Sequence, residues 1–281
     1  MDESQATVWR ANAVNWSRIG PPLRPCAEDI ALMRDCVQRQ VAGKDGELRS
    51  LLLGVTPEIA TLDFGRPLHM VAADNSLMMI GSVWPGNTPV HQVICADWRR
   101  LPLRQGVFDL VLADGSLSMQ SYPEGFGLLG AGIAACLKPG GAFIVRAFCR
   151  PEIAEPVEAV FADMRARRIG NFNVFKWRLA MAVQGDHPSR AVCLADIWET
   201  CRRHVGNHEA LAAATGWPID VIGAIDAHRN SEVRYSFPAV SETIQALAQY
   251  FDCVEKLSGH YELAERCPLL VFVRRIGSGE P

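Results

Sequence analysis

The sequence lacks a long apolar run, a surplus of one charge and a pattern of paired cysteines, and each absence excludes a class of protein. The longest apolar stretch, residues 126–137, is about a dozen residues long, whereas a helix needs about 20 to cross a bilayer. The 28 basic and 31 acidic residues leave a formal net charge of −3, which gives nucleic acids and anionic membranes no bulk attraction. Nine cysteines without a C-x-x-C pair predict neither a disulfide framework nor a zinc site.

The amino-terminal segment also lacks the features of a secretory signal. Residues 1–15 are polar and acidic, rather than basic and then apolar. Cys95, Cys136 and Cys149 lie inside apolar runs, where cysteine usually serves as a small buried hydrophobe. We therefore expect a reduced, cytoplasmic protein that makes no contact with a membrane.

The chain has 281 residues, 49% of them hydrophobic, and is long enough to bury a core without disulfides. Several apolar runs show little polar alternation, as strands buried on both faces of a parallel sheet do, and helix-like segments separate the first five. The runs are Leu51–Leu53, Leu68–Asp74, Gln92–Asp97, Phe108–Asp114, Ala142–Phe148, Asp252–Leu257 and Leu269–Arg275. They predict an α/β fold: a doubly wound, Rossmann-like, seven-stranded and mostly parallel sheet with a helical insertion before the last two strands.

The same pattern divides the chain into four parts. We expect a helical arm over residues 1–47, an α/β core over 48–150, a helical lid or substrate insertion over 151–250, and a closing β-hairpin over 251–281. The last six residues, beyond the final apolar run, are expected to fray.

Acidic residues follow three consecutive strands of the predicted core. Asp74, Asp97 and Asp114 each end a strand, and the first strand ends in the turn Gly54-Val55-Thr56-Pro57. Because ligands bind at the carboxyl ends of parallel strands, these carboxylates are expected to share one edge of the sheet, although each of them also suits a plain turn or helix cap. A carboxylate about twenty residues past a glycine turn can accept both hydroxyls of a ribose. A G-x-G-x-x-G cradle for pyrophosphate is missing, so the pattern favours an adenosine ligand with a compact cationic tail.

Five segments of the core carry a family resemblance. LLLGVTPEIA, VAADNSLMMI, ICADWRRLPL, FDLVLADGSLS and LKPGGAFIV occur in this order, and together they resemble the class I S-adenosylmethionine (SAM)-dependent methyltransferases over about residues 48–148. The first segment departs from the family's acidic, glycine-rich motif, because only Gly54 remains and no acidic residue precedes it.

The resemblance implies that SAM is the cofactor, that S-adenosylhomocysteine (SAH) is its product and that residues 48–150 form the SAM-binding core. Asp74 would bind the ribose hydroxyls, Asp97 would face the adenine amine, and Asp114 would lie near the transferred methyl group. The residues implied as cofactor-binding are Gly54, Val55, Thr56, Pro57, Asp74, Asn75, Met79, Ala96, Asp97, Trp98, Asp114 and Gly115. For Met79 and Trp98, ordinary core packing is the alternative interpretation.

The expected acceptor is a small molecule or a protein, reached by in-line displacement. The fourth strand ends in DGSL rather than the [DN]PP[YF] of enzymes that methylate bases, so we expect no nucleic-acid partner. A general base is needed only if the acceptor arrives protonated. Asp114 is the candidate base, with a turn or a cofactor contact as its alternative role. The oligomeric state is not predicted.

Three further features leave alternatives open. The segment Phe172–Arg178 could receive an acceptor that has a ring or a carboxylate, or it could be a core helix with Lys176 and Arg178 in solvent; the second interpretation is simpler. Arg146 could bind an anionic group of the acceptor or pair with a carboxylate. His204 and His208 have metal-ligand spacing, but Gly206 interrupts the helix and no third ligand is evident, so no metal is expected.

Two tryptophans of the amino-terminal arm also allow two interpretations. Trp9 and Trp16 could reach the cleft, although core packing is the simpler interpretation.

Two functions other than methyl transfer share part of the sequence pattern. One is a non-catalytic module that binds SAM or SAH, and the other is an NAD-dependent oxidoreductase, which the missing glycines disfavour.

Overall fold

Seven strands form one sheet in this computed structural model, which describes Arg10, Ala13, Trp16 and residues 19–275. Trp9 and residues 276–281, on which two of the predictions fall, lie outside the described residues. The strands of the described chain are β1 (Leu48–Leu53), β2 (Leu68–Asp74), β3 (His91–Cys95), β4 (Phe108–Asp114), β5 (Leu137–Arg146), β6 (Ala191–Cys193), β7 (Arg234–Ser236), β8 (Phe251–Leu257) and β9 (Leu269–Arg274). The main sheet has the order β3-β2-β1-β4-β5-β9-β8, with β1 to β5 parallel and β9 antiparallel to both of its neighbours. This topology confirms the predicted doubly wound, mostly parallel sheet.

Helices cover the sheet and fill the insertion. They are α1 (Ala27–Gln40), α2 (Pro57–Ala60), α3 (Leu77–Val83), α4 (Glu124–Cys136), α5 (Val157–Arg165), α6 (Phe172–Gln184), α7 (Leu194–Val205), α8 (His208–Thr215), α9 (Ile219–Gly223) and α10 (Val240–Leu247). Two of them begin as local chemistry dictates: the Ser76 hydroxyl accepts the Met79 N–H at α3, and the Asn171 side chain accepts the Val174 N–H at α6.

Burial explains the central strands, and local geometry explains where their ends differ from prediction. Leu51, Leu52 and Leu53 are fully buried, as a strand covered on both faces requires. β1 begins earlier than predicted, because its register with β2 extends back to residue 48. β5 also begins earlier, at residue 137, and passes the Pro-Gly-Gly stop through an irregularity in its pairing with β4. β3 ends two residues before Asp97, which the prediction had included in the strand.

The insertion was predicted to be helical, but it also contains two strands. β6 and β7 form a two-stranded antiparallel sheet within residues 151–250. A strand of three residues shows too little periodicity to be recognised in the sequence. The short sheet matters because β7 brings Tyr235 to the functional cleft.

The chain order of the main sheet reverses between β1 and β4, which is the topological switch point. A residue carboxyl-terminal to β1, β2, β4 or β5 therefore lies at one edge of the sheet. α6 from the insertion also contributes side chains to the cleft at this edge.

Candidate functional site

A cleft that opens to solvent lies at the switch point. Its lining combines the carboxyl ends of the central strands with residues from the amino-terminal segment and the insertion. The lining residues are Trp16, Ile19, Leu23, Leu53, Gly54, Val55, Thr56, Asp74, Met79, Trp98, Asp114, Gly115, Ser116, Ser118, Met119, Phe148, Lys176, Trp177, His228 and Tyr235. One surface of the cleft therefore comes from the core, and another comes from elements far away in sequence.

The turn after β1 presents bare backbone to the cleft. Gly54 has a φ of +98°, in the left-handed region that favours glycine, and its N–H donates to the Ala73 carbonyl at 2.8 Å. Val55 and Thr56 follow it into the cleft lining, whereas Pro57 starts α2 and is not among the lining residues. A single glycine thus suffices for the sharp turn.

Asp74 at the end of β2 is a buried carboxylate with one oxygen left free. Its Oδ1 accepts the Ser76 N–H at 2.8 Å, and in the described chain its Oδ2 has no hydrogen-bond partner. Burial raises the pKa of Asp74 to about 6, against the smaller lowering effect of the Ser76 N–H. A ligand hydroxyl reaching Oδ2 would stabilise the charged form.

The structure places Asp97 differently from the prediction. Its carboxylate accepts from the Arg99 guanidinium at 2.7 and 3.1 Å and from the Arg99 backbone N–H at 2.9 Å, and it is not among the lining residues. The side-chain bond from Arg99 is the main cause that lowers its pKa. Of the three predicted carboxylates, Asp74 and Asp114 line the cleft, whereas Asp97 pairs with Arg99. Asn75 and Ala96 also lie outside the lining.

The ring of Trp98 lies next to the turn at Gly54. Its indole N–H donates to the Ala73 carbonyl at 2.6 Å, and a Cβ built on Gly54 would lie 3.9 Å from the ring. Met79, buried on α3, also lines the cleft. Both residues thus offer apolar surface close to Asp74.

Asp114 at the end of β4 belongs to a buried ion-pair network. The Arg146 Nε donates to its Oδ1 at 2.6 Å, Arg146 Nη1 lies 3.5 Å from Asp29, and Arg146 also donates to the Pro22 carbonyl. Burial acts to lower the pKa of Arg146, but Asp114, Cys267 and Asp29 together outweigh it and the net direction is upward. Burial raises the pKa of Asp114, with Arg146 opposing. Arg146 therefore pairs with carboxylates of its own chain, one of the two alternatives that its sequence position left open.

Gly115 is constrained by both its backbone and its neighbour. Its φ is +66°, and a Cβ at this position would lie 2.6 Å from the Phe148 ring. Any side chain here would be strained and would also displace Phe148, which lines the cleft. The requirement for glycine follows from the packing around the cleft.

Lys176 and His228 are buried residues on the insertion side. Only 7% of Lys176 and 6% of His228 is exposed, and both line the cleft. Burial lowers the pKa of Lys176 to about 8, and burial followed by the nearby charge of Lys176 lowers the pKa of His228 to about 3. Arg178 pairs with Glu155 and Asp163. The expectation that Lys176 and Arg178 are in solvent is therefore wrong.

Aromatic rings also line the cleft on this side. Trp177 packs edge-on against Phe148 at 5.2 Å between centroids and against Tyr235 at 5.8 Å. α6 is apolar on nearly all sides, because it packs between the cleft and the core of the insertion. That apolar character was the signal that could have placed Lys176 inside the protein.

The histidines with metal-ligand spacing are used elsewhere. His204 stacks on Phe161 at 4.1 Å, and its Nδ1 contacts the Thr200 carbonyl at 2.9 Å. His208 lies 3.3 Å from Asp226. Within Arg10, Ala13, Trp16 and residues 19–275, no three His, Cys, Asp or Glu side chains form a group that could hold a metal ion.

Comparison with known proteins identifies the fold. No protein-family model and no curated protein sequence matches the chain. A Rhodobacter sphaeroides structure, named as a Zn-dependent alcohol dehydrogenase, is 11% identical over 98% of this chain and 100% of its own, with a TM-score of 0.62. The Burkholderia thailandensis 1,6-didemethyltoxoflavin-N1-methyltransferase, solved with bound 1,6-didemethyltoxoflavin and SAH, is 13% identical over 96% of this chain and 88% of its own, with a TM-score of 0.51. A SAM-dependent methyltransferase from Mesorhizobium loti is 18% identical over 89% and 98%, with a TM-score of 0.50.

Identities this low establish a shared fold alone. The sheet order and the methyltransferase neighbours together show the fold of the class I SAM-dependent methyltransferases, as the five sequence segments predicted. Among the described residues, moreover, no helix is both long enough and apolar enough to cross a membrane.

Proposed function

We propose that this protein is a SAM-dependent methyltransferase, which moves a methyl group from SAM to a small-molecule or protein acceptor and leaves SAH. The observation that carries the proposal is the buried Asp74 carboxylate, one oxygen of which has no hydrogen-bond partner in the described chain. It lies beside the turn at Gly54, at the switch point of the sheet. Two neighbours of the same fold are methyltransferases by name, one of them with SAH bound, and they support the same cofactor here.

The residues present fit an adenosyl ligand. Asp74 Oδ2 is available to accept a ribose hydroxyl, and Met79 and Trp98 supply apolar surface for a purine ring. Gly54 has no side chain and lines the cleft, so a ligand can approach its backbone closely. One glycine in the first turn suits a compact amino-acid tail better than two phosphates.

When bound, SAM supplies a methyl group activated by its sulfonium sulfur. This chain's own contribution is binding and orientation: Asp74 holds the ribose, and the turn from Gly54 to Thr56 holds the amino-acid end. Positioning of this kind contributes up to about 7–11 kcal/mol in favourable cases. The Asp114 carboxylate accepts a hydrogen bond from Arg146, so it is not free to act as a general base. We assign it instead a role in positioning the ligand at the centre of the sheet edge. An acceptor that arrives as an anion requires no base at all.

Calorimetric titration with SAM, SAH and NAD tests the proposal. NAD is included because one neighbour of the same fold is named as a dehydrogenase. We expect SAM and SAH to bind. The Asp74→Asn substitution should weaken SAH about 10- to 100-fold, because a hydrogen bond to a charged group contributes about 1.5–3 kcal/mol. Asp97→Asn is the matched control and should leave SAH affinity within about twofold, since Arg99 already holds that carboxylate.

Tighter binding of NAD than of SAH would contradict the proposal, and so would an unchanged SAH affinity in Asp74→Asn. Transfer of labelled methyl from SAM to fractionated metabolites and proteins then separates an enzyme from a binding module. SAH binding without transfer to any fraction would favour the non-catalytic module.

A further inference from the structure

Lys176 carries a buried charge that this protein leaves without a partner. Other buried cations are paired, as Arg146 is with Asp114 and Arg150 is with Glu242. Nζ of Lys176, by contrast, has no hydrogen bond or ion pair within the described residues, and burial is the cause of its lowered pKa of about 8. At neutral pH most of the population therefore keeps an uncompensated ammonium in the cleft, an arrangement that an anionic ligand would relieve.

Hydrogen-bonding atoms nearby are also unsatisfied. Trp177 Nε1, His228 Nδ1 and Ser116 Oγ are buried on residues that line the cleft and lack a partner in the described chain. The indole N–H can only donate, and the hydroxyl can donate as well. His228 is neutral at physiological pH, because its low pKa keeps the ring unprotonated. Together with Lys176, this set is rich in donors, as oxygen anions require.

The surrounding surface is aromatic. Phe148, Trp177 and Tyr235 pack edge-to-face and form one continuous wall of rings. Burial raises the pKa of Tyr235 to about 12, so its phenol stays protonated and brings no negative charge. A flat ring is the ligand shape that such a wall accommodates.

We infer that these residues form a subsite for a small aromatic acceptor that carries an oxyanion, either a carboxylate or a phenolate, with Lys176 as its counter-ion. The inference rests on the proposed function, because it names the acceptor class of the same cleft. Lys176 pairs with the charged oxygen, and the rings hold the body of the molecule.

The charge of Lys176 disfavours a lysine or arginine side chain as the acceptor. A lysine or arginine side chain would bring a second cation to Lys176, and repulsion at close range in a buried site is strong. The broader proposal of a small-molecule or protein acceptor thus narrows to an anionic one, and the wall of rings favours a small aromatic molecule.

Ligand-observed NMR titration of the full chain with simple aromatic probes tests the subsite. Benzoate and 4-nitrophenolate represent the two oxyanions, and benzamide is the neutral counterpart of benzoate. Each is titrated with and without saturating SAH. We expect at least one oxyanion to bind about tenfold or more tightly than benzamide, and Lys176→Met to lose about tenfold of that affinity while benzamide binding is unchanged. Lys256→Met is the matched control, because it removes the same charge from an exposed position of β8.

The outcomes separate the two proposals. Equal affinity for benzoate and benzamide, no saturable binding of either oxyanion, or oxyanion binding that Lys176→Met leaves unchanged would overturn the subsite, whatever SAH does. If SAH fails to bind while an oxyanion still depends on Lys176, the subsite stands and the methyltransferase proposal falls.

Discussion

Substituting Lys176 by methionine should make the free protein more stable. Lys176 is buried on α6, and its pKa falls from the ordinary value of 10.5 to about 8 because burial disfavours the charged form. One pKa unit corresponds to about 1.4 kcal/mol. The buried ammonium therefore lowers the free energy of unfolding by about 3 kcal/mol at neutral pH, and methionine, which is unbranched and apolar, removes that cost.

The pH dependence of the gain identifies its cause. Between the folded and unfolded pKa values the unfolded chain binds more protons, so the stability of the wild type rises with pH from about 8 to 10.5. The advantage of Lys176→Met should therefore be largest below pH 8, shrink to about 1–1.5 kcal/mol at pH 9.5, and vanish above pH 10.5.

Urea unfolding of the wild type, Lys176→Met and Lys256→Met at pH 7 and 9.5 measures this difference. Lys256 is exposed on β8, so its substitution should change the free energy of unfolding by less than about 0.5 kcal/mol. A Lys176→Met variant no more stable than the wild type at pH 7 would refute the reasoning. A gain of the same size at both pH values would point instead to simple hydrophobic packing.

Two further predictions concern the core side of the cleft. SAH affinity should fall as the pH drops below about 6, by up to tenfold per pH unit, because a proton then competes with the ligand for the Asp74 carboxylate; titrations of wild type and Asp74→Asn across pH 5–8 check this, and a variant as pH-dependent as the wild type would contradict it. Arg146→Met should destabilise the protein by about 3–5 kcal/mol, since Asp114 and Asp29 would lose their buried counter-ion; chemical unfolding measures the loss, and a neutral effect would show that the network contributes little.

The sequence permitted accurate prediction of the core because its signals there are local. Apolar runs without alternation define β2 and β4 at their observed bounds. A glycine turn followed about twenty residues later by Asp74 requires only that parallel strands end at one edge. Such inferences need no knowledge of distant side chains.

Asp97 shows where a local signal was present and was overlooked. An aspartate followed two residues later by arginine can bond to both the backbone and the side chain of that arginine, as it does here. The strand-tip argument placed the backbone of Asp97 correctly at the sheet edge. It did not weigh the competition between a ligand and a neighbouring guanidinium for the carboxylate.

The insertion side of the cleft depends on tertiary packing. Lys176, His228 and Tyr235 come from a helix, a short helical turn and a three-residue strand, and no spacing in the sequence links them. Only the all-round apolar character of α6 indicated that a lysine within it would be buried. Which elements would enclose that lysine is decided by how the insertion folds over the sheet.

The cleft contains two buried charged residues, Asp74 on its core side and Lys176 on its insertion side, and one shared feature relates both of them to ligand binding. Other buried charges of this chain are compensated, as in the pairs of Arg146 with Asp114 and of Arg150 with Glu242. Asp74 and Lys176 have no counter-ion among the described residues, and burial shifts the pKa of each toward its neutral form. Each lowers the stability of the free protein, and each lines the cleft. Unpaired buried charges of this kind are typical of functional sites, so the same reasoning that assigns Asp74 to a nucleoside assigns Lys176 to an anion.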